Sequence, residues 1–460
     1  MDLDPGVSGG PSRIAIIGGG YAGMAAAAEL AARKIPATLF EASRTLGGRA
    51  RGVDSHGVRV DNGQHILIGA YSETLRLLRL VGADTERLFL RLPLTLCFPG
   101  QIFIKAAPLP APLHLAAALL GASGLTLCEK FAAIRFMRSL KKRGYRLPSD
   151  TTVTLFLDAQ DQPARLREFL WEPLCLAALN TRPETASAQV FINVLRDSLA
   201  ADRHASDLML PKVDLGALFP DVAKMYVAKN GGRVLRGTAI RNIAMSGSGF
   251  TLQDETTEHG VFSQVIVAVA PHHLPPLLAG LPGLDDLGKQ ISSLAWEPIV
   301  TCYLAYPQQT RLPQPMLGHA GGCLQWLIDR GQLGGPAGLF AAVISARGRH
   351  LEMSHEQLSA QIHSEISGIV AGLPDPLWFQ VIIEKRATFA CVPGARRPAA
   401  ETALPGLLLA GDYVASDYPA TLESAVRSGV KAARLAAKSA DRLAPAADFP
   451  DVDSLSLSPE

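Results

Sequence analysis

The sequence has little charge and no cysteine pair of the kind that holds zinc. Charged residues make up 19% of its 460 residues, and 44 Lys and Arg against 42 Asp and Glu leave a formal net charge of +2. A chain this close to neutral has no strong field of one sign, so we expect no nucleic-acid partner. Because the six cysteines include no CxxC spacing, we expect free thiols in a reducing compartment and no metal site.

The start of the chain lacks the basic residues and the long apolar run of a signal peptide, so the sequence predicts a cytoplasmic location. One later run, residues 106–128, holds no charged residue over 23 positions and is long enough in principle to span a bilayer. Three prolines, Pro108, Pro110 and Pro112, and His114 interrupt this run. Since proline breaks a helix, we expect no clean spanning helix there.

The first structural signal that is present is a strand, a glycine turn, a helix and a second strand. The apolar residues 13–17 and 36–40 flank an Ala-rich segment at 21–33. This spacing predicts a βαβ unit whose two strands are parallel. Further strand-like runs lie at residues 249–253, 263–269 and 406–410. We therefore expect one sheet assembled from three separated parts of the chain.

The turn of this unit reads GGGYAG at residues 18–23, which fits the GxGxxG pattern of dinucleotide-binding proteins. Gly18 permits the tight turn, Gly20 lets the backbone approach a pyrophosphate, and Gly23 allows close packing of helix on strand. The helix N-terminus supplies amide donors to the phosphates. Glu41 ends the second strand, where a carboxylate accepts hydrogen bonds from ribose hydroxyls. These residues alone leave NAD and FAD open.

Three later segments favour FAD, although each alone also fits an ordinary turn or cap. Residues 44–51 (RTLGGRAR) give a glycine pair with arginines suited to pyrophosphate, and residues 61–65 (DNGQH) follow. Residues 407–429 contain a buried strand, then Asp412, which would accept from ribityl hydroxyls, and then a helix start that would face the flavin pyrimidine. The candidate cofactor contacts are Gly18, Gly20, Tyr21, Ala22, Gly23, Glu41, Ala42, Gly48, Arg49, Ile240, Gly411, Asp412, Thr421 and Leu422.

The order of these motifs resembles the amine oxidase/phytoene desaturase superfamily of FAD enzymes. Within that superfamily, four stretches of the chain resemble bacterial hydroxysqualene dehydroxylases. They are residues 60–71 (VDNGQHILIGAY), 172–191 (EPLCLAALNTRPETASAQVF), 206–220 (SDLMLPKVDLGALFP) and 411–429 (GDYVASDYPATLESAVRSG). The resemblance covers nearly the whole chain, except the N-terminal dozen residues and the C-terminal tail.

Together the pattern and the resemblance predict an α/β flavoprotein with two domains. One is a Rossmann-like FAD-binding domain of discontinuous segments, and the other is a mixed α+β substrate domain. The expected bounds are 1–74, 216–284 and 391–445 for the FAD-binding domain, 75–215 and 285–390 for the substrate domain, and 446–460 for a flexible tail.

The resemblance implies a reaction in squalene and hopanoid biosynthesis. Hydroxysqualene loses its allylic hydroxyl as water, and reduced FAD delivers a hydride to give squalene. The implied partners are a lipophilic C30 isoprenoid substrate, a redox donor and the upstream polyprenyl synthases. Two alternatives stay open, a carotenoid or phytoene desaturase and a non-catalytic flavoprotein partner of a polyprenyl synthase.

Two departures from the amine-oxidase pattern narrow this expectation. The strand at residues 298–306 (PIVTCYLAY) has no lysine, whereas those enzymes often carry one there near the flavin. Its absence argues against amine oxidation. The segment that begins at Gly411 has no cysteine that could hold the flavin, so we expect FAD to be bound non-covalently.

The residue that protonates the leaving hydroxyl is harder to predict. His65 is the first candidate because histidine gives a proton near neutral pH, and Gln64 beside it is the second catalytic candidate. It is about as plausible that His65 only packs in a loop and that Gln64 only hydrogen-bonds nearby. The runners-up are Tyr413, Tyr418 and Glu423. His272 and His273 have no metal-ligand spacing and read as loop residues.

A basic amphipathic segment follows the uncharged run. Residues 129–146 place Phe131, Ile134, Met137 and Leu140 on one stripe, with Lys and Arg largely elsewhere. One interpretation is a helix that lies on a membrane surface, and the other is a solvated helix packed on the core. A lipid-soluble substrate favours the first, so we expect a peripheral protein on the cytoplasmic face of the inner membrane.

Overall fold

The computed structural model describes residues 14–247 and 249–443, so residues 1–13 and the predicted tail at 446–460 lie outside the described residues. The strands are β1 (Ile14–Ile17), β2 (Ala37–Glu41), β3 (Gly52–Ser55), β4 (Val58–Asp61), β5 (Leu67–Ile68), β6 (Phe89–Leu92), β7 (Thr95–Phe98), β8 (Ile102–Lys105), β9 (Leu208–Pro211), β10 (Arg233–Arg236), β11 (Asn242–Ser246), β12 (Gly249–Gln253), β13 (Glu258–Phe262), β14 (Gln264–Val267), β15 (Trp296–Ala305), β16 (Met316–Gly318), β17 (Trp326–Asp329), β18 (Leu339–Ser345), β19 (Trp378–Phe389) and β20 (Leu407–Leu409). The α-helices are α1 (Tyr21–Ala32), α2 (Ser72–Leu80), α3 (Thr85–Leu88), α4 (Leu113–Gly121), α5 (Leu127–Lys142), α6 (Val153–Ala159), α7 (Ala164–Leu166), α8 (Glu172–Leu179), α9 (Ala188–Leu195), α10 (Leu215–Leu218), α11 (Pro220–Lys229), α12 (Leu274–Leu278), α13 (Asp285–Ser292), α14 (His355–Ser367) and α15 (Leu422–Leu443).

A five-stranded parallel sheet has the order β10-β2-β1-β14-β20. Its strands come from three separated parts of the chain, and both the βαβ unit and the α/β class are confirmed. Two details of the prediction are wrong. Residues 249–253 form β12 of a separate antiparallel sheet, β11-β12-β13. One edge of the parallel sheet is β10, which the sequence analysis missed.

The helix α1 packs between the parallel sheet and α15. Eleven of its twelve residues are buried, because a run of alanines lets neighbouring backbones come close. At Gly429 of α15 a Cβ atom would lie only 2.0 Å from the carbonyl oxygen of Ala22, so only glycine permits this approach. Every residue of β1 is buried as well, as expected for a strand covered on both faces.

A second sheet is antiparallel, with the order β16-β17-β18-β15-β19, and all its strands lie between residues 296 and 389. The predicted strand at 298–306 is β15. A smaller sheet joins β9 to both β5 and β6, and so links the segment 1–74 to the segment 75–215. This pairing crosses the predicted boundary between the two domains, and the domain bounds themselves stay a prediction.

The uncharged run at 106–128 is broken into a loop, α4 and the start of α5. Among the described residues, none of the helices has both the length and the apolar character to cross a membrane. The predicted stripe on the basic segment is wrong in part: Leu140 is buried, but Phe131 is 60% exposed. The buried face of α5 instead uses Ala132, Ala133 and Phe136, because small alanines bring this face close to the core.

Candidate active site

A cavity of about 790 Å³ lies where the parallel strands end. The residues that follow β1, β2, β14 and β20 all line it, because the carboxyl ends of parallel strands meet at one edge of the sheet. Every candidate cofactor contact lines this cavity except Gly23, and so do His65 and Gln64. The structure thus brings the predicted residues together, while their individual roles stay predictions.

The glycine turn has the geometry that its motif predicts. Gly18 has φ +108°, a conformation that other residues rarely adopt, and a Cβ at Gly23 would lie 1.9 Å from the Gly18 carbonyl oxygen. Gly23 therefore serves helix packing, as its motif predicts, and does not line the cavity. A Cβ at Gly20 would meet only Gly47 and Gly48 atoms, at 3.9 Å, so the space above Gly20 is an open cradle.

The amides at the start of α1 open into this cradle. Tyr21 and Ala22 line the cavity, and α1 has no side-chain cap to occupy its first amides. The Tyr21 hydroxyl donates to the Leu215 carbonyl oxygen at 2.8 Å, and the Tyr21 ring packs on Phe219. The Tyr21 side chain is therefore part of the core, which leaves only its backbone to face a phosphate.

The Glu41 carboxylate is held in place at the end of β2. The Gly19 amide donates to its Oε2 at 2.5 Å and the Ser43 amide to its Oε1 at 2.7 Å. Each carboxylate oxygen has two lone pairs, so both oxygens can still accept from a ribose hydroxyl. Ala42 and Ile240 line the same end of the cavity.

Arg49 and Asp412 form an ion pair that the sequence analysis did not predict. Arg49 Nη2 donates to Asp412 Oδ1 at 2.6 Å, and Arg49 Nη1 donates to the Ala387 carbonyl oxygen of β19 at 2.6 Å. Burial alone would lower the pKa of Arg49, but the Asp412 carboxylate outweighs burial and raises it. Arg49 is therefore a fixed cation, and one oxygen of Asp412 is left to accept from a ribityl chain.

The start of α15 forms the wall beside Asp412. Thr421 Oγ1 accepts from the Ser424 amide at 3.2 Å, and the Thr421 amide donates to Ser424 Oγ at 3.2 Å. This reciprocal cap occupies the Thr421 amide, and the predicted contact of this helix start with the flavin stays a prediction. Leu422, the first residue of α15, lines the cavity with the positive end of the helix dipole.

His65 lies on the cavity wall with its ring already held. Its Nδ1 is 2.7 Å from the Gly63 carbonyl oxygen, and since a carbonyl can only accept, Nδ1 carries the hydrogen. Burial lowers the pKa of His65, against the opposing hydrogen bond to Gly63. The neutral ring therefore presents Nε2 as the atom that could take or give a proton.

Gln64 has its side chain occupied by neighbours. Its Nε2 donates to the His65 carbonyl oxygen at 3.1 Å, and its Oε1 accepts from Arg330 at 3.3 Å. Arg330 is buried and also donates to the Pro211 carbonyl oxygen. Gln64 thus positions the loop that carries His65, a role that the sequence analysis gave as the alternative.

Asp61 and Arg330 make buried hydrogen bonds that hold the loop carrying His65 in place. The sequence did not predict either role. The Leu215 amide donates to Asp61 Oδ1 at 2.8 Å, and Tyr303 donates to the Asp61 carbonyl oxygen at 3.0 Å. Burial raises the pKa of Asp61 to about 6, and the Leu215 amide and Arg330 oppose that shift. The available signal was an acidic residue, Asp61, at the start of the DNGQH segment and directly after an apolar residue.

The structure corrects the interpretation of five other polar residues. His272 and His273 were interpreted as loop residues, but they form part of the cavity wall, with their rings 4.0 Å apart. Burial and then His273 lower the pKa of His272 to about 4. Of the runners-up, Tyr413 and Tyr418 do not line the cavity, and Glu423 caps α2 through the amides of residues 73 and 74. These three are therefore poor candidates for the acid.

The same cavity is lined by many apolar side chains, and we call the part that they line the chamber. Several elements that are distant in sequence supply it, which is why no single stretch predicted it. The apolar lining residues are Leu94, Leu96, Leu174, Val194, Leu195, Leu199, Leu208, Ile299, Met316, Trp326 and Val343. None of the six cysteines lines the cavity, and within residues 14–247 and 249–443 no cluster of side chains could hold a metal ion.

Comparison with known proteins shows the family that this site geometry belongs to. A model of the flavin-containing amine oxidoreductases matches residues 21–437. The chain belongs to that family. It is an FAD-dependent oxidoreductase, which favours an enzyme over the non-catalytic alternative.

The sequences of several relatives align with nearly the whole chain. It is 27% identical to a hydroxysqualene dehydroxylase of Sinorhizobium fredii, over 93% of this chain and 98% of that one. It is 29% identical to that of Rhodopseudomonas palustris, over 91% and 97%, and 23% identical to a zeta-carotene desaturase of Solanum lycopersicum, over 91% and 80%.

Solved structures show the same fold at low identity. An oxidoreductase from Methanosarcina mazei has a TM-score of 0.71 at 15% identity, covering 92% of this chain and 99% of that one. Cyclohexylamine oxidase from Brevibacterium oxydans has a TM-score of 0.68 at 15% identity, covering 94% and 100%. The amine oxidase-like fold that the motifs predict is confirmed.

The residues present fit the FAD of this family. The cradle above Gly20 and the amides of α1 suit the pyrophosphate, and Glu41 suits the adenosine ribose. The free oxygen of Asp412 suits the ribityl chain, and Leu422 at the positive end of α15 suits the pyrimidine edge.

Replacing Gly20 with valine should abolish FAD binding without unfolding the chain. The new side chain would fill the cradle that the pyrophosphate needs, and it meets no atom closer than 3.9 Å at its Cβ. We expect Gly20→Val to purify colourless, with FAD affinity at least about a hundredfold weaker by fluorescence titration. Gly288→Val, at a glycine of α13 that has no positive φ and no atom within 4 Å of a new Cβ, controls for glycine loss. Full flavin occupancy in Gly20→Val would contradict the assignment.

Replacing Asp412 with alanine should weaken FAD binding and free Arg49. A buried charge without its partner is costly. We therefore expect the free energy of unfolding, or the free energy of FAD binding, to fall by roughly 3 kcal/mol. Asp412→Asn keeps a hydrogen-bond acceptor and should lose less. The measurements are FAD affinity and the thermal unfolding midpoint with and without added FAD. An unchanged FAD affinity in Asp412→Ala would mean that this segment does not hold the cofactor.

Proposed function

We propose that the protein catalyses the reductive dehydroxylation of hydroxysqualene to squalene. The observation that carries this proposal is the apolar chamber, which belongs to the same cavity as the predicted flavin contacts and His65. Such a wall suits a long hydrocarbon and offers few partners to a polar substrate. The hydroxysqualene dehydroxylases among the relatives match almost end to end and support the same substrate.

The chemistry needs a hydride donor, a proton donor and a dry environment. Bound FAD in its reduced form would supply the hydride. The allylic hydroxyl takes a proton and leaves as water, and the hydride then forms the new C–H bond, so each turnover oxidises one flavin. The chamber excludes water from the delocalised allylic cation, which water would otherwise capture.

This chain's own contribution is to hold the hydroxyl and the proton near each other. His65 Nε2 is the atom of the imidazole that is free to hold a proton, because Nδ1 is bound to the Gly63 carbonyl oxygen. Gln64 and Arg330 fix the loop and hence the direction of the ring. Positioning of this kind contributes strongly to rate.

The test is a single-turnover assay with two substrates. The FAD-loaded protein is reduced anaerobically and mixed with hydroxysqualene, and squalene is measured by mass spectrometry. The oxidised protein is mixed with phytoene, and desaturated products are sought. Squalene formed from the reduced protein supports the proposal. Desaturation of phytoene without any squalene would establish the carotenoid desaturase alternative instead.

If His65 supplies the proton, the rate should rise as pH falls. Burial lowers the pKa of His65 below its usual value of about 6.5, so the protonated fraction grows only under more acidic conditions. We expect His65→Gln to lose roughly a hundredfold in rate and to lose this pH dependence. His355→Gln, at an exposed position on α14, is the control. A His65→Gln variant with the parental rate and pH profile would place the proton on another group.

A further inference from the structure

Exposed apolar side chains are concentrated in one stretch of the molecule. Among the described residues, eleven large apolar side chains are exposed, and six of them lie between residues 103 and 131. Their exposed fractions run from 37% to 67%. These six residues, which we call the α4–α5 surface, are Phe103, Leu109, Leu113, Leu120, Leu127 and Phe131.

Hydrogen bonds hold the parts of this surface against one another. Lys130 Nζ donates to the Leu120 carbonyl oxygen at 2.8 Å, so the end of α4 lies against the first turns of α5. Phe103 and Ser123 exchange backbone hydrogen bonds, which places β8 beside the link between the two helices. The exposed side chains at 103, 120, 127 and 131 therefore share one region and are not scattered singly.

The segment that carries this surface is strongly basic. Residues 101–146 contain eight basic residues and one acid, Glu129, for a net charge of +7. The whole chain carries +2, so the rest of the molecule carries −5. Glu129 is engaged in the capping box of Thr126 at the start of α5. The basic residues are Lys105, Lys130, Arg135, Arg138, Lys141, Lys142, Arg143 and Arg146.

One exposed stripe of α5 carries apolar residues at its N-terminal end and basic residues after them. Leu127 and Phe131 occupy its N-terminal end, and Arg135, Arg138 and Lys142 continue it at helical spacing of three or four residues. At about 1.5 Å per residue, the stripe is roughly 22 Å long. Apolar residues that adjoin basic ones along a helix match the boundary between acyl chains and anionic headgroups.

We propose that the α4–α5 surface docks this protein on an anionic lipid bilayer. The leucines and phenylalanines enter the acyl boundary, and the arginines and lysines contact headgroup phosphates. An apolar patch on a segment with a net charge of +7 complements a bilayer of negative surface potential. This inference goes beyond the proposed reaction and does not depend on which substrate is turned over.

The opposite face of α4 packs beside the chamber. His114 and Ala118 are buried on that face, and His114 Nε2 lies 3.4 Å from Ser206 Oγ. Ser206 itself lines the cavity. One helix, about 10 Å across, therefore separates the proposed lipid contact from the apolar chamber. Docking in this orientation brings the chamber to the membrane surface, where an apolar ligand is dissolved.

The first test removes charge from the stripe. Flotation of the FAD-loaded protein is measured with vesicles of phosphatidylcholine alone and of phosphatidylcholine mixed with phosphatidylglycerol. We expect the parent to prefer the mixed vesicles and to bind them less at high salt. The variant Arg135→Gln, Arg138→Gln, Lys142→Gln should bind the mixed vesicles roughly a hundredfold less well. The variant Lys229→Gln, Lys431→Gln, Lys438→Gln removes equal charge from α11 and α15 and should bind like the parent.

The second test removes the apolar contacts. The variant Leu120→Ser, Leu127→Ser, Phe131→Ser should bind vesicles at least about tenfold less well, because these side chains no longer leave water on docking. Met225→Ser, Met245→Ser, Leu377→Ser is the control, since those side chains are 53–69% exposed elsewhere. Flavin absorbance and the thermal unfolding midpoint confirm that each variant is folded.

Several outcomes would overturn the proposal. The parent protein could fail to bind anionic vesicles, or the α4–α5 variants could bind them as well as the parent does. The control variants could also lose as much vesicle binding as the test variants. A parent that forms dimers through this surface and leaves vesicles unbound would assign the surface to a second copy of the chain. Vesicle binding is read without turnover, so failure here leaves the proposed reaction untouched.

Discussion

The parallel pairing of β1 with both β2 and β14 is the constraint on which the site depends. Parallel strands end at one edge, so residues from the start, middle and end of the chain reach the same cavity. All of β1 is buried, which fixes its register because a slip would misplace apolar side chains on both faces. The glycine turn and Glu41 are therefore aligned by the sheet itself before any cofactor binds.

Arg49 then joins the two sheets around the cofactor cleft. Its guanidinium reaches Asp412 after β20 and the Ala387 carbonyl of β19, so one side chain bridges the parallel and the antiparallel sheet. Removing these groups from water is costly, and the hydrogen bond from Arg49 to the Ala387 carbonyl oxygen offsets part of that cost. The cleft is thus closed by a contact between residues 363 positions apart.

The sequence predicted local features well and long-range contacts poorly. The strand, turn and helix from β1 to α1 follow from periodicity and glycine chemistry, and the segment at residues 407–429 follows from its motif. The edge strand β10 (RVLR) was missed because its assignment depends on pairing with β2, which no local pattern records. The buried face of α5 was misplaced because alanines at 132 and 133, not the larger Phe131, pack on the core. The chamber and Arg330 were missed because their neighbours come from distant elements.

In the proposed dehydroxylation, the low polarity of the chamber also bears on which group gives the proton. Protonation of the hydroxyl by a neutral acid such as tyrosine would create two opposite charges in a medium that solvates neither. A protonated His65 would instead pass its positive charge to the allylic carbon as water leaves, so the number of charges in the site stays the same. Burial lowers the pKa of His65 and so makes the protonated ring a stronger acid, although a scarcer one. In this apolar site, transfer of an existing charge costs less than separation of a new pair, which favours histidine as the proton donor.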